Sequence, residues 1–377
     1  MLYYEANKNV EITQDKWSYG EEVHKISGQN SFWQIIFGLE MYTGCVLHRA
    51  MIQFTPPDRY ATIGKKAARA ECTAPPDSIL GRLGKEEAMA DQTGKSKTYS
   101  YDYEDYENGK KAETMLEEIL ADPEFPGLEE LIIGGWGGEY EESCQAILDG
   151  IAANVDRFSH ITKLFIGDMD YEVCEVSWIM QGNYSNLWKA MPQLKELTIK
   201  GSTNLELGVI EHDNLESLTI ICGGLGKDVI EEIAKAKLPN LQKLLLYIGV
   251  EDYGFDGDAE TVRELLSVSD FPKLTYLGIT DSEIQDELTA VVLESKYMQQ
   301  ITTLDLSNGT LTDKGGQLLV EKLPGCPGLE KLDVHYHYLS DEIMGKLKKL
   351  PIAVDVSEQL EAERWNGELW YNAMLTE

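Results

Sequence analysis

The chain has 377 residues, 43% of them hydrophobic, with 33 basic and 65 acidic side chains and a net charge of −32. That composition supplies a sizeable core and excludes bulk disorder. It also opposes binding to phosphate backbones, which depends on cationic contacts, and no apolar run approaches the ~18 residues of a membrane span.

Length suggests a long module plus a smaller one. The start, Met1-Leu2-Tyr3-Tyr4-Glu5-Ala6-Asn7, lacks the basic residues and apolar stretch of a secretory signal, so the protein is expected to be cytoplasmic. Cys45, Cys72, Cys144, Cys174, Cys222 and Cys326 are scattered, with no C-x-x-C pair. That argues against a zinc cluster or a disulfide framework and for reduced, mostly buried thiols. Charge is uneven: residues 1–120 hold 19 acidic and 14 basic side chains, and the remainder holds 46 and 19.

Residues 1–120 show no repeat and read as a small α+β domain. Phe32-Trp33-Gln34-Ile35-Ile36-Phe37 has strand character. Four of the twelve prolines fall in residues 55–78, and the stretch near 41–78 reads as an irregular insertion. Gly81-Arg82-Leu83-Gly84, a strand from Lys97 to Tyr101 and a helix around Ala112 to Leu120 come next. This order resembles a WGR domain. In that comparison Trp33 belongs to the first strand, Gly81, Arg82 and Gly84 to the signature, and Lys97 to the next strand; Leu80 stands where the defining Trp does. The resemblance implies a nucleic-acid-associated regulatory role, since WGR domains of poly(ADP-ribose) polymerases contact DNA. The alternative is a cap over the first core face of the C-terminal module.

From Leu128 onward an apolar-x-x-apolar-x-apolar pattern recurs eight times, beginning at Leu128, Ile161, Leu194, Leu215, Leu241, Leu274, Ile301 and Leu329. The spacings are 33, 33, 21, 26, 33, 27 and 28 residues. The last two apolar positions alternate with polar ones, as a strand with one buried face requires. Between strands the spacing turns helical, as at Val229, Ile230 and Ile233 or Leu318, Leu319 and Leu323. No unit of this size buries its apolar face alone; stacking creates a continuous core.

Ile301-Thr302-Thr303-Leu304-Asp305-Leu306-Ser307-Asn308-Gly309 resembles a ribonuclease-inhibitor-type leucine-rich repeat, with Gly309 where that type has Asn or Cys. The stretches Leu164 to Ile179, Leu218 to Gly224 and Gly249 to Gly257 are similar to a family of bacterial cytoplasmic leucine-rich-repeat proteins. These resemblances imply an α/β fold over residues 121–357: a horseshoe solenoid with a parallel sheet on the concave face and helices on the convex face. Residues 358–377 are then a tail or cap. No activity comes with the resemblance.

Catalytic signatures are missing: there is no G-x-S-x-G, H-E-x-x-H or Walker loop, and Gly134 to Gly138 lacks a following Lys-Ser/Thr. His335 and His337 would point the same way on a strand, beside Asp333, but no third metal ligand is apparent, and surface histidines are the favoured reading. Asp168 and Asp170, and Asp252 and Asp256, follow the second and fifth strands. They form an acidic rim whose spacing does not match an EF-hand.

Residues between the inner leucines face the open side of the sheet. Among them Ile132, Phe165, Lys200, Ile221, Lys243, Leu245, Tyr247 and Tyr276 form the candidate partner surface, because interface cores favour apolar and aromatic groups. The expectation is a non-catalytic interaction scaffold that needs no cofactor or metal. Its partner is an unknown protein, possibly basic; nucleic acid and membrane are disfavoured. The alternative is the WGR-mediated regulator.

Overall fold

The computed structural model describes residues 2–4, 10–12 and 95–376. The chain divides into two units, Met1–Ala74 and Pro75–Glu377. In the first, β1 (Leu2–Tyr4) and β2 (Val10–Ile12) pair antiparallel. Trp33, Gly81, Arg82 and Gly84 lie outside the described residues.

The second unit is an α/β repeat built on a ten-stranded parallel sheet whose strands neighbour one another in sequence order. Each of the eight pattern copies contributes one strand: β4 (Glu130–Ile133), β5 (Lys163–Ile166), β6 (Glu196–Lys200), β7 (Ser217–Ile221), β8 (Lys243–Gly249), β9 (Tyr276–Ser282), β10 (Thr303–Asp305) and β11 (Lys331–Asp333). Leu131, Leu164, Leu197, Leu218, Leu244, Leu277, Leu304 and Leu332 pair in unbroken register across the eight. All eight are buried, and they join one apolar core that runs from Tyr101 to Val356. Parallel register aligns equivalent positions of successive repeats, so the leucine frame becomes a ladder.

Two further strands extend the sheet. At one end β12 (Ala353–Asp355) sets Val354 beside Leu332. At the other, β3 (Ser96–Tyr99) sets Lys97 beside Leu131. The strand expected at Lys97 to Tyr101 within an N-terminal module is thus the first strand of the repeat sheet. Its helix, Ala112–Ala121, buries Met115 and Ile119 in the common core. Lys97 stands at the leucine position only half-buried, and its ammonium pairs with Asp122 at 2.6 Å and Glu124 at 2.8 Å.

Helices follow strands where the spacing turned helical: Lys227–Ala234 after β7, Ala259–Val268 after β8, Gln285–Glu294 after β9, Asp313–Lys322 after β10 and Asp341–Leu347 after β11. Asp258, Thr312 and Ser340 cap three of them by accepting backbone N–H bonds. The link between β6 and β7 departs from this scheme and has no helix. The first-residue spacing here, 21 residues, is the shortest, and bridges such as Met180↔Thr203 and Asn183↔Glu206 carry the chain across in extended form.

The tail also packs. Glu363–Trp365 and Glu368–Trp370 form a small hairpin. Residues beyond it cross the ends of the strands: the Tyr338 hydroxyl donates to the Asn372 carbonyl and accepts from its N–H, both at 3.0 Å.

Candidate functional site

The open face of the sheet carries two zones. Ile132 on β4 and Phe165 on β5 project from between the two inner apolar positions of their strands, and Ile221 on β7 and Tyr247 on β8 from the position just after them. All four are half-buried and outside the core. Their neighbours are charged pairs such as Lys163–Glu196, at 2.9 Å. Tyr276 is half-buried as well, with Lys243 over its ring at 5.1 Å and its hydroxyl donating to Asp305 at 2.5 Å.

Leu245 departs from expectation. Alternation places it on the exposed partner surface, but it is only 3% exposed. Gly278, its register partner on β9, leaves a hollow there: a Cβ on Gly278 would stand 2.3 Å from Leu245 Cδ1. The leucine therefore seals the face locally instead of presenting itself. Lys200 is also turned to internal use. Its ammonium donates to the Met169 carbonyl, and burial pulls its pKa below the usual lysine range against the opposing pull of Asp168 and Asp170.

The second zone is an aspartate row. Asp305, Asp333 and Asp355 stand in register on β10, β11 and β12. Asp305 accepts from the Ser307 N–H and hydroxyl as well as from Tyr276. Burial, then repulsion from Asp333, raises its pKa. Asp333 is itself buried, but His335 at 2.7 Å and Lys331 at 3.0 Å hold its carboxyl down at about 2. Each carboxylate is thus committed to a neighbour, which favours a rigid polar face over a catalytic dyad.

The histidine pair does not share a direction. The strand ends at Asp333, and Tyr336 adopts a positive φ of 53°, so extended-strand alternation does not apply. His335 faces Asp333, whereas His337, expected at the surface, is fully buried. The Leu339 N–H donates to His337 Nδ1 at 3.0 Å, which leaves Nε2 to carry the proton toward the Val356 carbonyl at 3.2 Å. Among the described residues no three His, Cys, Asp or Glu side chains are grouped to hold a metal ion. Cys144, Cys174, Cys222 and Cys326 are buried free thiols; burial pushes the first three up to about 12, away from nucleophilic reactivity.

The acidic rim is exposed, and parts of it serve the backbone. Asp170 accepts from the N–H groups of Glu172 and Val173, both at 3.0 Å, and Asp256 accepts from the Lys227 N–H at 2.7 Å. Asp168 and Asp252 are exposed on the same loops. Asp256 borders an open, polar cleft of about 610 Å³ between residues 202–206 and the helix beginning at Lys227. Of the basic side chains noted in the N-terminal third, Lys97 is tied to Asp122 and Glu124.

The leucine frame overlooked one feature: exposed aromatics in the loops leaving β3, β4 and β5. The available signal was Tyr171, Val173 and Trp178, large apolar residues off the frame within a 33-residue spacing.

Fold and face together define an α/β repeat protein with a ten-stranded parallel sheet and an open, partly aromatic surface. A crystal structure of a protein from Bacteroides fragilis, determined by the Northeast Structural Genomics Consortium, is similar to it at 42% identity and a TM-score of 0.68, over 74% of this chain and 77% of that one. The chain belongs to the family of that Bacteroides fragilis protein. No family model and no curated protein matches it. Among the described residues no helix is long and apolar enough to cross a membrane.

Proposed function

We propose that this chain is a non-catalytic leucine-rich-repeat scaffold of the bacterial cytoplasm, which binds a protein on the open face of its sheet, the concave side of a horseshoe. The observation that carries this reading is the apolar strip Ile132, Phe165, Ile221, Tyr247 and Tyr276, partly exposed on the side of the sheet opposite the leucine core. Apolar and aromatic groups held on rigid strands lose little entropy on binding and give large contact areas. The acidic rim would act on association rate and salt dependence. The leucine frame, register and strand order support the repeat assignment; the short, helix-free link between β6 and β7 makes it an irregular member of that class.

The test is to capture a partner on the full-length protein and compare Phe165→Ala and Tyr247→Ala with wild type. Each substitution should weaken binding by about thirtyfold and leave the melting temperature nearly unchanged. Wild-type affinity in both variants would rule the sheet face out.

A further inference from the structure

Eleven large apolar side chains stand exposed among the described residues. Five of them, Tyr103, Tyr140, Tyr171, Val173 and Trp178, belong to the connections that leave β3, β4 and β5, Tyr103 at the start of the short helix Tyr103–Glu107. Tyr171 is 56% and Trp178 59% exposed. With Tyr140, Val173, Cys174 and Glu175 they line one open cleft of about 260 Å³. The Tyr103–Tyr106 ring pair, 6.5 Å between centroids, is near enough for both phenols to act electrostatically on Tyr140. Exposed aromatics gathered in this way mark an interaction surface.

Charge decides what the surface accepts. The same connections, residues 102–107, 139–142 and 168–175, hold eleven carboxylates, all but the buried Glu139 reaching solvent, and no Lys or Arg. The nearby cations are already engaged, Lys110 with Asp105 and Glu118, Lys111 with Glu142, and the largely buried Lys200 with the Met169 carbonyl. A neutral apolar partner would strip water from those carboxylates without compensation. A second copy of this chain, at a net charge of −32, would bring like charges to the contact. Nucleic acid and anionic lipid are repelled for the same reason. An arginine-bearing segment meets both demands, because guanidinium is weakly hydrated, stacks on aromatic faces and pairs with carboxylates.

We propose that the loop edge around Tyr140, Tyr171 and Trp178 is a docking surface for an arginine-rich segment of another protein. Guanidinium groups stack on the three rings, and the surrounding carboxylates balance their charge. The inference rests on reading the chain as a binding scaffold, but it uses a surface apart from the sheet face.

The full-length protein is titrated calorimetrically with a synthetic alternating Arg-Gly peptide, and with Lys-Gly and Glu-Gly peptides of the same length. The expected result is binding of Arg-Gly in preference to Lys-Gly, with none for Glu-Gly. Tyr171→Ala combined with Trp178→Ala should weaken Arg-Gly binding about tenfold or more. Both side chains are exposed, so the variant should melt as wild type does, and Tyr247→Ala should leave the titration unchanged. Absence of Arg-Gly binding overturns the proposal. So does equal affinity for both cationic peptides with no effect of the aromatic double variant, which would reduce the interaction to general acidity. Loss of binding in Tyr247→Ala would move the site to the sheet face, and a dimer abolished by the double variant would make the edge a contact between copies. Failure of the scaffold reading would appear separately, as a captured partner indifferent to Phe165 and Tyr247.

Discussion

Oδ1 of Asp281, at the end of β9, accepts the backbone N–H of Met374 at 3.0 Å, although the two residues are 93 positions apart. The same oxygen accepts the Leu375 N–H at 2.8 Å, and the Met374 N–H also reaches the Asn308 carbonyl at 2.8 Å. Asp281 is fully buried at a φ of +56°, a conformation that Asp tolerates better than most residues. Farther along, the tail passes so close to the turn after β7 that a Cβ on Gly223 would stand 2.5 Å from the Thr376 carbonyl oxygen. One buried carboxyl thus clamps the tail across the strand ends.

That clamp titrates. Burial holds the Asp281 pKa well above its ordinary 3.8, against the opposing effect of the two tail N–H groups. The folded chain therefore binds this proton more tightly than the unfolded chain does. The group's contribution to stability is complete below about pH 3.8 and is lost as pH rises through the raised value. Asp281→Asn, which keeps an acceptor oxygen, should retain the tail and lose this pH dependence. Asp281→Gly, which keeps the backbone conformation but removes the acceptor, should release it. Hydrogen exchange at Met374 and Leu375, corrected for intrinsic rates, reads the tail, and thermal melts across pH read the titration; equal protection in Asp281→Gly and wild type would refute the clamp.

The leucine ladder predicts where stability resides. Leu244 and Leu304 are fully buried at equivalent ladder positions. Leu244→Ala or Leu304→Ala should each cost about 2–5 kcal/mol by leaving a cavity between stacked repeats. Urea denaturation should show a lower midpoint for each. An unchanged midpoint would contradict the register.

The two histidines after β11 should respond oppositely to pH. His337 is buried and neutral, its pKa pulled below 6.5. It binds protons more readily when unfolded, so its contribution to stability falls as pH drops below about 6.5. Burial also works against charge on His335, but its bond to Asp333 wins and raises the pKa. Its contribution is complete below about 6.5 and is lost as pH climbs through the raised value. His337→Gln should flatten the acid side of the stability profile, and His335→Gln should flatten the neutral side. Thermal melts across pH would expose the error if the two variants had interchangeable profiles.

The sequence by itself determined the eight pattern strands, their order, their buried leucines and the helices between many of them. Alternation along a strand and helical spacing are local properties, and repetition multiplies the signal until register follows from alignment alone. Only the tertiary structure decided the rest. The strand at Lys97 was legible but its place in the repeat sheet was not, because a lysine stands at the leucine position and its charge is neutralised by Asp122 and Glu124, 25 and 27 residues away. Leu245 looked exposed by alternation, but Gly278 on the next strand leaves the hollow that buries it. His337 looked like a surface residue until the turn at Tyr336 drove it inward. The tail clamp and the aromatic edge join segments that no period relates. Such contacts depend on which side chains the stacking brings together and how their charges and volumes fit, and a one-dimensional pattern does not encode that.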